Sequence, residues 1–246
     1  MNSAQILSNI IRERRSVRDF LPTPIPQDLL DKVLEDAKHA PSWSNTQPYK
    51  IAVASGALRN ELQTQLTDRF DKGMTAQRGG WLSKFKLLIS RDGLPDGDFE
   101  TNFAYPEDLQ PRRRATGHGL YELLGIGRSD NAARDAQTRK NFEFFGAPTV
   151  LFLFAHSGLR EFSALDTGIF LQTLMLSAQA HGLNTCAQGA LATWAGPVRK
   201  AFDVPKQYKL ICGVSIGYQS SSPVNQFNPG RVSTADLMIT PLDRRQ

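Results

Sequence analysis

The hydrophobic and polar positions of this chain recur at two spacings, one typical of helices and one typical of strands. Helical spacing predicts helices over 3–13, 27–40, near 56–70, and over 109–124, 131–145, 166–181 and 194–203. Short apolar runs predict strands over 49–55, 149–155, 183–188 and 209–217. In this order the elements predict a three-layer α/β or α+β domain, without the strict alternation of a doubly wound fold.

Two elements indicate where the core lies. Residues 149–155 form a continuous apolar run after Pro148, which is typical of a strand buried on both faces. Residues 166–181 are apolar almost all round, and Gly182 follows at the position of a helix C-terminal cap. This helix is therefore predicted to be central and buried.

Two stretches carry no core pattern. Residues 71–108 contain scattered Gly, Asp and Pro, and such a stretch is too long for an ordinary connection in a compact domain. We expect an irregular lid or an insertion there. The last 29 residues, from 218 to 246, are polar and extended, and such a tail needs a surface to lie on.

Composition narrows the class of protein. With 246 residues, 40% of them hydrophobic, the chain suits one globular domain over 1–246. No apolar stretch approaches the ~20 residues of a membrane-spanning helix, and the first residues do not resemble a secretory signal. Cys186 and Cys212 form no framework or metal-ligand motif, so we expect both to be reduced core residues. These features predict a cytoplasmic protein that does not contact membranes.

The charge distribution favours a small anionic ligand. The formal charge is +5, and aromatic residues are not interleaved with basic runs, so no nucleic-acid binding is predicted. The basic residues divide into 19 Arg and 10 Lys. Arginine's planar fork binds phosphate and carboxylate groups in pairs of hydrogen bonds.

Three other site types are excluded by context. Gly213, Ser215 and Gly217 match the hydrolase pattern G-x-S-x-G, but no helix is predicted after them and no histidine follows His181. No glycine-rich dinucleotide motif follows a strand. The four histidines show no metal-ligand spacing, so no metal site is predicted.

Three separated segments carry the remaining chemical signal. Residues 14–20 contain three arginines and a serine after the first helix, and their alternative interpretation is a solvated basic helix end. Residues 40–49 are dense in hydroxyl and amide groups that can bind the polar edge of a heterocycle, although a plain turn would look the same. The third signal joins 186–190 with the tail segment 228–231.

Together these segments resemble the nitroreductase family of FMN-dependent oxidoreductases. In that family R-[RH]-S-x-[RK]-x-F near the N-terminus is followed by A-P-S-x-x-N-x-Q-P, as at 14–20 and 40–48 here, and the likeness extends to Pro-Gly-Arg231. The run 42–48 and the run 141–148 resemble the branch that reduces nitrobenzoates and dinitroaromatics. The resemblance implies an α+β, three-layer α-β-α fold with a central mixed sheet, and a C-terminal tail that extends onto a dimer partner.

The resemblance implies a phosphate end and a ring end of the cofactor site. Arg14, Ser16 and Arg231 match positions that contact the FMN phosphate and ribityl chain. The family often has a second basic residue where this chain has Pro229, so the phosphate contacts are expected either to be weaker or to be supplemented by Arg15.

Arg18 matches the cation beside the flavin N1 and C2 carbonyl, and the backbone of Gln188 and Gly189 matches the segment that faces the N5 edge. The family's sites lie at a dimer interface, and one loop reaches the cofactor from the second subunit. The residues that match this loop are Pro41, Ser42, Trp43 and Asn45. An asparagine that many members offer to the flavin pyrimidine edge has no clear match within 71–108.

The expected activity follows from this resemblance. The protein is expected to be an NAD(P)H-dependent nitroreductase, a homodimer that reduces small nitroaromatic or similar electron-poor planar substrates by a ping-pong mechanism. No catalytic side chain is expected, because the flavin carries the chemistry and Arg18 supports its reduced form. Reductive dehalogenation, consumption of the flavin itself and a non-enzymatic flavin-binding role remain as alternatives.

Overall fold

A four-stranded sheet forms the centre of the protein. The structure is a computed structural model that describes residues 2–101 and 103–241. The strands are β1 (Tyr49–Ser55), β2 (Thr149–His156), β3 (Asn184–Gln188) and β4 (Tyr208–Gly217), and they lie in the order β1-β2-β4-β3. All three strand pairs are antiparallel.

Helices precede, separate and follow these strands. Their bounds are α1 (Ser3–Glu13), α2 (Gln27–Ala37), α3 (Gly56–Arg78), α4 (Trp81–Ser90), α5 (Gln110–Leu123), α6 (Asn131–Arg139), α7 (Glu161–Ala180), α8 (Ala195–Ala201) and α9 (Thr234–Leu237). Short 3-10 turns lie at Trp43–Asn45, Phe144–Gly146, Ser157–Leu159, Gly189–Thr193 and Pro223–Gln226. Within the described residues, no helix has both the length and the apolar character needed to cross a bilayer.

Strand β2 explains why there are three layers. Its alternate residues Phe152 and Phe154 pack with α3 and α8 in one core cluster. Leu151 and Leu153 point to the opposite face, where they pack with α2 and α7 in a second cluster. Because both faces of β2 are buried, its sequence is a continuous apolar run, as predicted.

The α+β class is confirmed, but the expected mixed sheet is wrong for these four strands. The described residues place parallel pairing only in an isolated bridge between Ser16 and Thr185. An apolar run records that both faces of a strand are buried, and it does not record the direction of the neighbouring strand. The sequence pattern therefore held no information that would exclude parallel pairs.

The expected irregular region 71–108 is wrong over its first half, because α3 continues to Arg78 and α4 follows it. The second half of α3 has no regular apolar period. Ion pairs contribute there instead, between Lys72 and Asp68 and between Arg139 and Asp71. Elsewhere the predicted helix 131–145 ends early at Arg139, and the positive φ angles of Phe144 and Phe145 further along are incompatible with a helix that continues to 145.

The part of this region that follows α4 is fixed to the core by two aspartates. Asp96 accepts the backbone N–H of Gly196 at 3.1 Å and pairs with Arg69 at 2.7 Å. The side chain of Asp98 is only 10% exposed; it accepts the N–H of Leu210 at 2.7 Å and pairs with Arg199 at 2.7 Å. Residues 94–98 are therefore a packed connection against α8 and β4.

We expect Asp98→Ala to lower the free energy of unfolding by about 3 kcal/mol, because the largely buried guanidinium of Arg199 loses its carboxylate and keeps only the Tyr208 carbonyl, and the N–H of Leu210 loses its acceptor. Urea denaturation followed by circular dichroism measures this loss. Asp28→Ala removes one partner of an exposed pair within α2 and is the control, with an expected loss of about 0.5 kcal/mol or less. Equal losses in the two variants would contradict the anchoring role of Asp98.

Candidate functional site

The segment after α1 runs along the edge of the sheet. Arg14 caps α1, with its N–H donated to the carbonyl of Ile10. The chain then becomes extended; Ser16 bridges to Thr185 of β3, and Val17 donates its N–H to Thr185 at 3.0 Å. Val17 is fully buried in a small cluster with Cys186. Because side chains alternate along an extended segment, Ser16 and Arg18 face away from that cluster.

Asn225 fixes the position of this segment from the C-terminal tail. Its side chain is almost fully buried. The carboxamide oxygen accepts the N–H of Arg18 at 2.8 Å, and the amide group donates to the carbonyls of Asp19 and Ser220. The Asn225 carbonyl also accepts a hydrogen bond from Arg15 at 3.3 Å. No sequence pattern predicted this role of Asn225. All of its hydrogen bonds join it to backbone atoms or to residues that are distant along the chain.

Four arginines form a positively charged group here, which we call the basic cluster: Arg14, Arg15, Arg18 and Arg231. Burial lowers the pKa of Arg14, and the nearby charge of Arg231 lowers it further. None of the four pairs with a carboxylate among the residues that the structure describes. Within the described part of the chain, Arg231 donates only to the carbonyls of Pro229 and Gly230. The basic cluster therefore suits a bound anion such as a phosphate.

Arg18 is not a solvated helix end. It lies beyond the last helical turn, and its guanidinium carbon is 5.9 Å from the centre of the Phe227 ring. Burial of the Cys186 thiol has the largest effect and raises its pKa to about 11, although the positive charges of Arg18 and Arg14 lower it. The thiol is therefore protonated at neutral pH and is not a nucleophile.

The strand β3, whose Cys186 is close enough to Arg14 and Arg18 to feel their charges, ends with backbone exposed to solvent. Gln188 is buried, and its side chain is fully engaged: it donates to the carbonyl of Asn141 at 2.8 Å and accepts from Ser215 at 2.5 Å. The next residue, Gly189, is exposed, and an added Cβ would meet no atom within 4 Å. Ser215 is fully buried, which agrees with its exclusion as a hydrolase nucleophile.

The predicted loop at Pro41, Ser42, Trp43 and Asn45 lies elsewhere; we call residues 41–47 the polar loop. Ser42 closes it by accepting the N–H groups of Asn45 and Gln47. No hydrogen bond, ion pair or ring contact recorded for the described residues joins this loop to the basic cluster. Within one chain, the predicted site residues thus fall into two separate groups.

Asp166 of α7 anchors the polar loop, and sequence reasoning missed this role. Its nearly buried carboxylate accepts the N–H of Trp43 at 3.1 Å. The Trp43 ring lies 4.6 Å from the ring of Phe162 but stays 57% exposed. Burial, followed by the charge of Asp166, raises the pKa of Tyr49. The sequence feature that could have indicated this role is an acidic residue in the middle of a largely apolar helix.

Comparison with known proteins identifies the family. The model of the Nitroreductase family matches residues 11–218. The chain belongs to the nitroreductase family. It is 37% identical to Nitroreductase NfnB of Mycolicibacterium smegmatis over 238 residues, which cover 96% of this chain and 92% of that protein. It is 34% identical to the 4-nitrobenzoate reductase of Pseudomonas putida over 213 residues, or 85% and 83% of the two chains.

Solved structures agree with this membership. The crystal structure of the FMN-dependent nitroreductase NfnB from Mycobacterium smegmatis in complex with NADPH covers 98% of this chain and 100% of its own, with a TM-score of 0.83 and 32% identity. The crystal structure of the FMN and NADPH-dependent nitroreductase NfnB from sphigopyxis sp. strain HMH has the same TM-score at 29% identity, and it covers 96% of this chain and 99% of its own. The sequence-based family prediction is therefore confirmed.

The site assignments stay predictions. Asn102, the asparagine within 71–108, lies outside the described residues. Pro229 is half-buried in the tail segment that carries Arg231, and Arg15 of the basic cluster is bound to the Asn225 carbonyl. A supplementary role of Arg15 in phosphate binding stays a prediction.

Proposed function

We propose that this member of the nitroreductase family is an FMN-dependent oxidoreductase that transfers electrons from NAD(P)H to nitroaromatic or similar electron-poor planar substrates. The observation that carries this proposal is a cluster of arginines, with no carboxylate partner among residues 2–101 and 103–241, at the edge strand β3, which ends at the exposed backbone of Gly189. Relatives described as nitroreductases and 4-nitrobenzoate reductases support the substrate class.

The residues present fit FMN. Arg14 and Arg231 would hold its phosphate, because two neighbouring guanidinium groups repel each other until an anion lies between them. The Ser16 hydroxyl faces the same side of the extended segment and adds a hydrogen-bond donor. No glycine-rich dinucleotide turn is present for the second phosphate of FAD, so we expect FMN.

The chain supplies binding and electrostatics for this chemistry. When bound, FMN accepts a hydride from NAD(P)H and passes the electrons to the nitro substrate. Arg18, whose backbone is bound by Asn225 and whose guanidinium lies over Phe227, would supply the positive charge for the pyrimidine edge of the reduced flavin. The backbone at Gly189, with open space around it, would face the N5 edge. Coenzyme and substrate would then bind in turn, as a ping-pong mechanism requires.

A second copy of the chain would complete this site. The polar loop is held away from the basic cluster of its own chain, so it is free to serve the cluster of a partner. Large apolar side chains are exposed on α4, and the tail exposes Ile239 at 94%. The exposed residues of α4 are Trp81, Leu82, Phe85, Leu88 and Ile89. An apolar surface of this kind is typical of an interface, and it supports a homodimer.

We also place the protein in the cytoplasm. Cys186 and Cys212 are both buried and free, which suits a reducing compartment. Burial raises the pKa of Cys212 to about 12, so neither thiol is expected to react with disulfides at neutral pH.

The purified protein should be yellow and should release FMN on denaturation. Arg231→Ala should weaken FMN binding about ten- to hundredfold, because it removes a charge-assisted contact to the phosphate. Flavin fluorescence titration measures the affinity. Arg12→Ala, an exposed change in the last turn of α1, is the matched control and should retain FMN. Equal retention in both variants would remove Arg231 from the site.

Activity is measured on the same preparation. The FMN-loaded protein should oxidise NAD(P)H without oxygen only when a nitroaromatic such as 4-nitrobenzoate is present, and initial rates should give the parallel lines of a ping-pong mechanism. A yellow protein without turnover of any nitro compound would instead support the flavin-binding alternative.

Arg18→Ala should lower the two-electron midpoint potential of the bound flavin by about 40 to 90 mV, which corresponds to ~2 to 4 kcal/mol. Arg18→Lys should recover part of the shift, since it keeps the charge and loses the planar fork. Spectroelectrochemistry measures the potential. An unshifted potential at normal FMN content would place Arg18 outside the flavin environment.

The protein should sediment as a dimer at micromolar concentration. Phe85→Asp combined with Leu88→Asp should shift it towards monomer and release FMN, because charges on the apolar face of α4 oppose its burial. Lys84→Asp changes a charge at an exposed position of the same helix and is the control, which should remain dimeric. A monomeric wild-type protein that holds FMN would contradict the shared site.

A further inference from the structure

A cavity of about 370 Å³ lies between α5 and α6, outside the basic cluster. It combines apolar and aromatic surface with two guanidinium groups. Its lining includes His118, Tyr121, Ile126, Gly127, Arg128 and Arg134. None of them belongs to the segments that predicted the cofactor site.

The local backbone brings these side chains together. The end of α5 turns at Gly125, which has a φ of +66°, and Ile126 donates its N–H to the carbonyl of Tyr121 at 2.8 Å. Asp130 then caps α6 through the N–H of Ala133. One turn further on, Arg134 reaches back over the connection towards α5.

Arg134 is held in place by two contacts. Its guanidinium carbon lies 5.2 Å from the centre of the Tyr121 ring, and Nη1 donates to the carbonyl of Arg128 at 3.2 Å. A guanidinium has five N–H donors in a planar fork. Most of the donors of Arg134 therefore have no recorded acceptor within the part of the chain that the structure describes.

The charges around the cavity favour an anion. Arg128 and Arg134 pair with no carboxylate of the described residues. Glu122 also lines the cavity and is the opposing carboxylate there. Nearby Asp135 is neutralised by Arg78. Two guanidinium groups thus face one carboxylate, beside the imidazole of His118.

The position of the cavity indicates which anion. Gly119 of α5 lies against Phe227, since an added Cβ would be 3.2 Å from that ring, and Phe227 lies beneath Arg18. The cavity lies on the other side of the same helix, around Tyr121, and is therefore about one helix diameter, about 10 Å, from Phe227. A ligand with its reactive end at the cluster and a distant phosphate would span this separation.

We propose that this cavity binds the adenosine 2′-phosphate end of NADPH and gives the enzyme a preference for NADPH over NADH. Tyr121, Ile126 and Gly127 form the surface for the purine, and Arg128 and Arg134 bind the 2′-phosphate. The coenzyme role rests on the proposed function, whereas binding of the nucleotide at the cavity does not require turnover.

The direct test is calorimetric titration of the FMN-loaded protein with adenosine 2′,5′-bisphosphate at low ionic strength. Arg128→Gln and Arg134→Gln should each weaken binding about tenfold, and Arg134→Lys should recover part of the loss. Adenosine 5′-monophosphate should bind wild type at least tenfold more weakly than the bisphosphate. Lys32→Gln, an exposed change on α2, is the charge-matched control and should bind as wild type does.

Steady-state kinetics supply the second readout. The ratio of KM for NADPH to KM for NADH should rise about tenfold in Arg134→Gln. The proposal would be overturned if wild type and a variant that combines Arg128→Gln with Arg134→Gln bound the bisphosphate equally well, or if the KM ratio did not change. If wild type oxidises neither coenzyme but binds the bisphosphate through these arginines, the proposed function fails and the cavity assignment stands.

Discussion

Burial of β2 on both faces is the constraint on which the rest of this structure depends. Because Phe152 and Leu151 point in opposite directions and both are fully buried, helices must cover each side of the sheet. The centre of the protein is then closed to ligands. Polar chemistry is confined to the edges, and β3 is the edge strand where the segment of Ser16 docks.

The basic cluster at this edge stores unfavourable electrostatic energy in the free chain. Arg14 is partly desolvated and lies near Arg231, and both effects lower its pKa. The backbone holds the cluster together regardless, since Asn225 and the buried Val17 fix the segment from opposite sides. A bound phosphate relieves the repulsion, so cofactor binding and local stability are linked.

The sequence predicted those parts of the fold that short-range patterns encode. Strand β1 was predicted over its observed bounds because its apolar residues, flanked by turns, form a pattern of their own. The second half of α3 was missed, because ion pairs such as that of Asp71 with Arg139 join residues far apart in the chain. The resemblance supplied the arginines of the site. It did not supply Asn225 or Asp166, because a side chain that accepts a hydrogen bond from a distant backbone N–H produces no periodic pattern in the sequence.

Some arginines of this chain hold the fold together, whereas others lie where the proposed ligands would bind. Arg69, Arg139 and Arg199 each pair with a carboxylate and tie one structural element to another. Those of the basic cluster, together with Arg128 and Arg134, have no such partner among residues 2–101 and 103–241. These six arginines flank α5 on two sides, four of them near Phe227 and two at the cavity. The net charge of +5 is thus compatible with the two proposed anion sites, separated by a single helix, and this arrangement suits a small ligand with phosphates and not an extended polyanion.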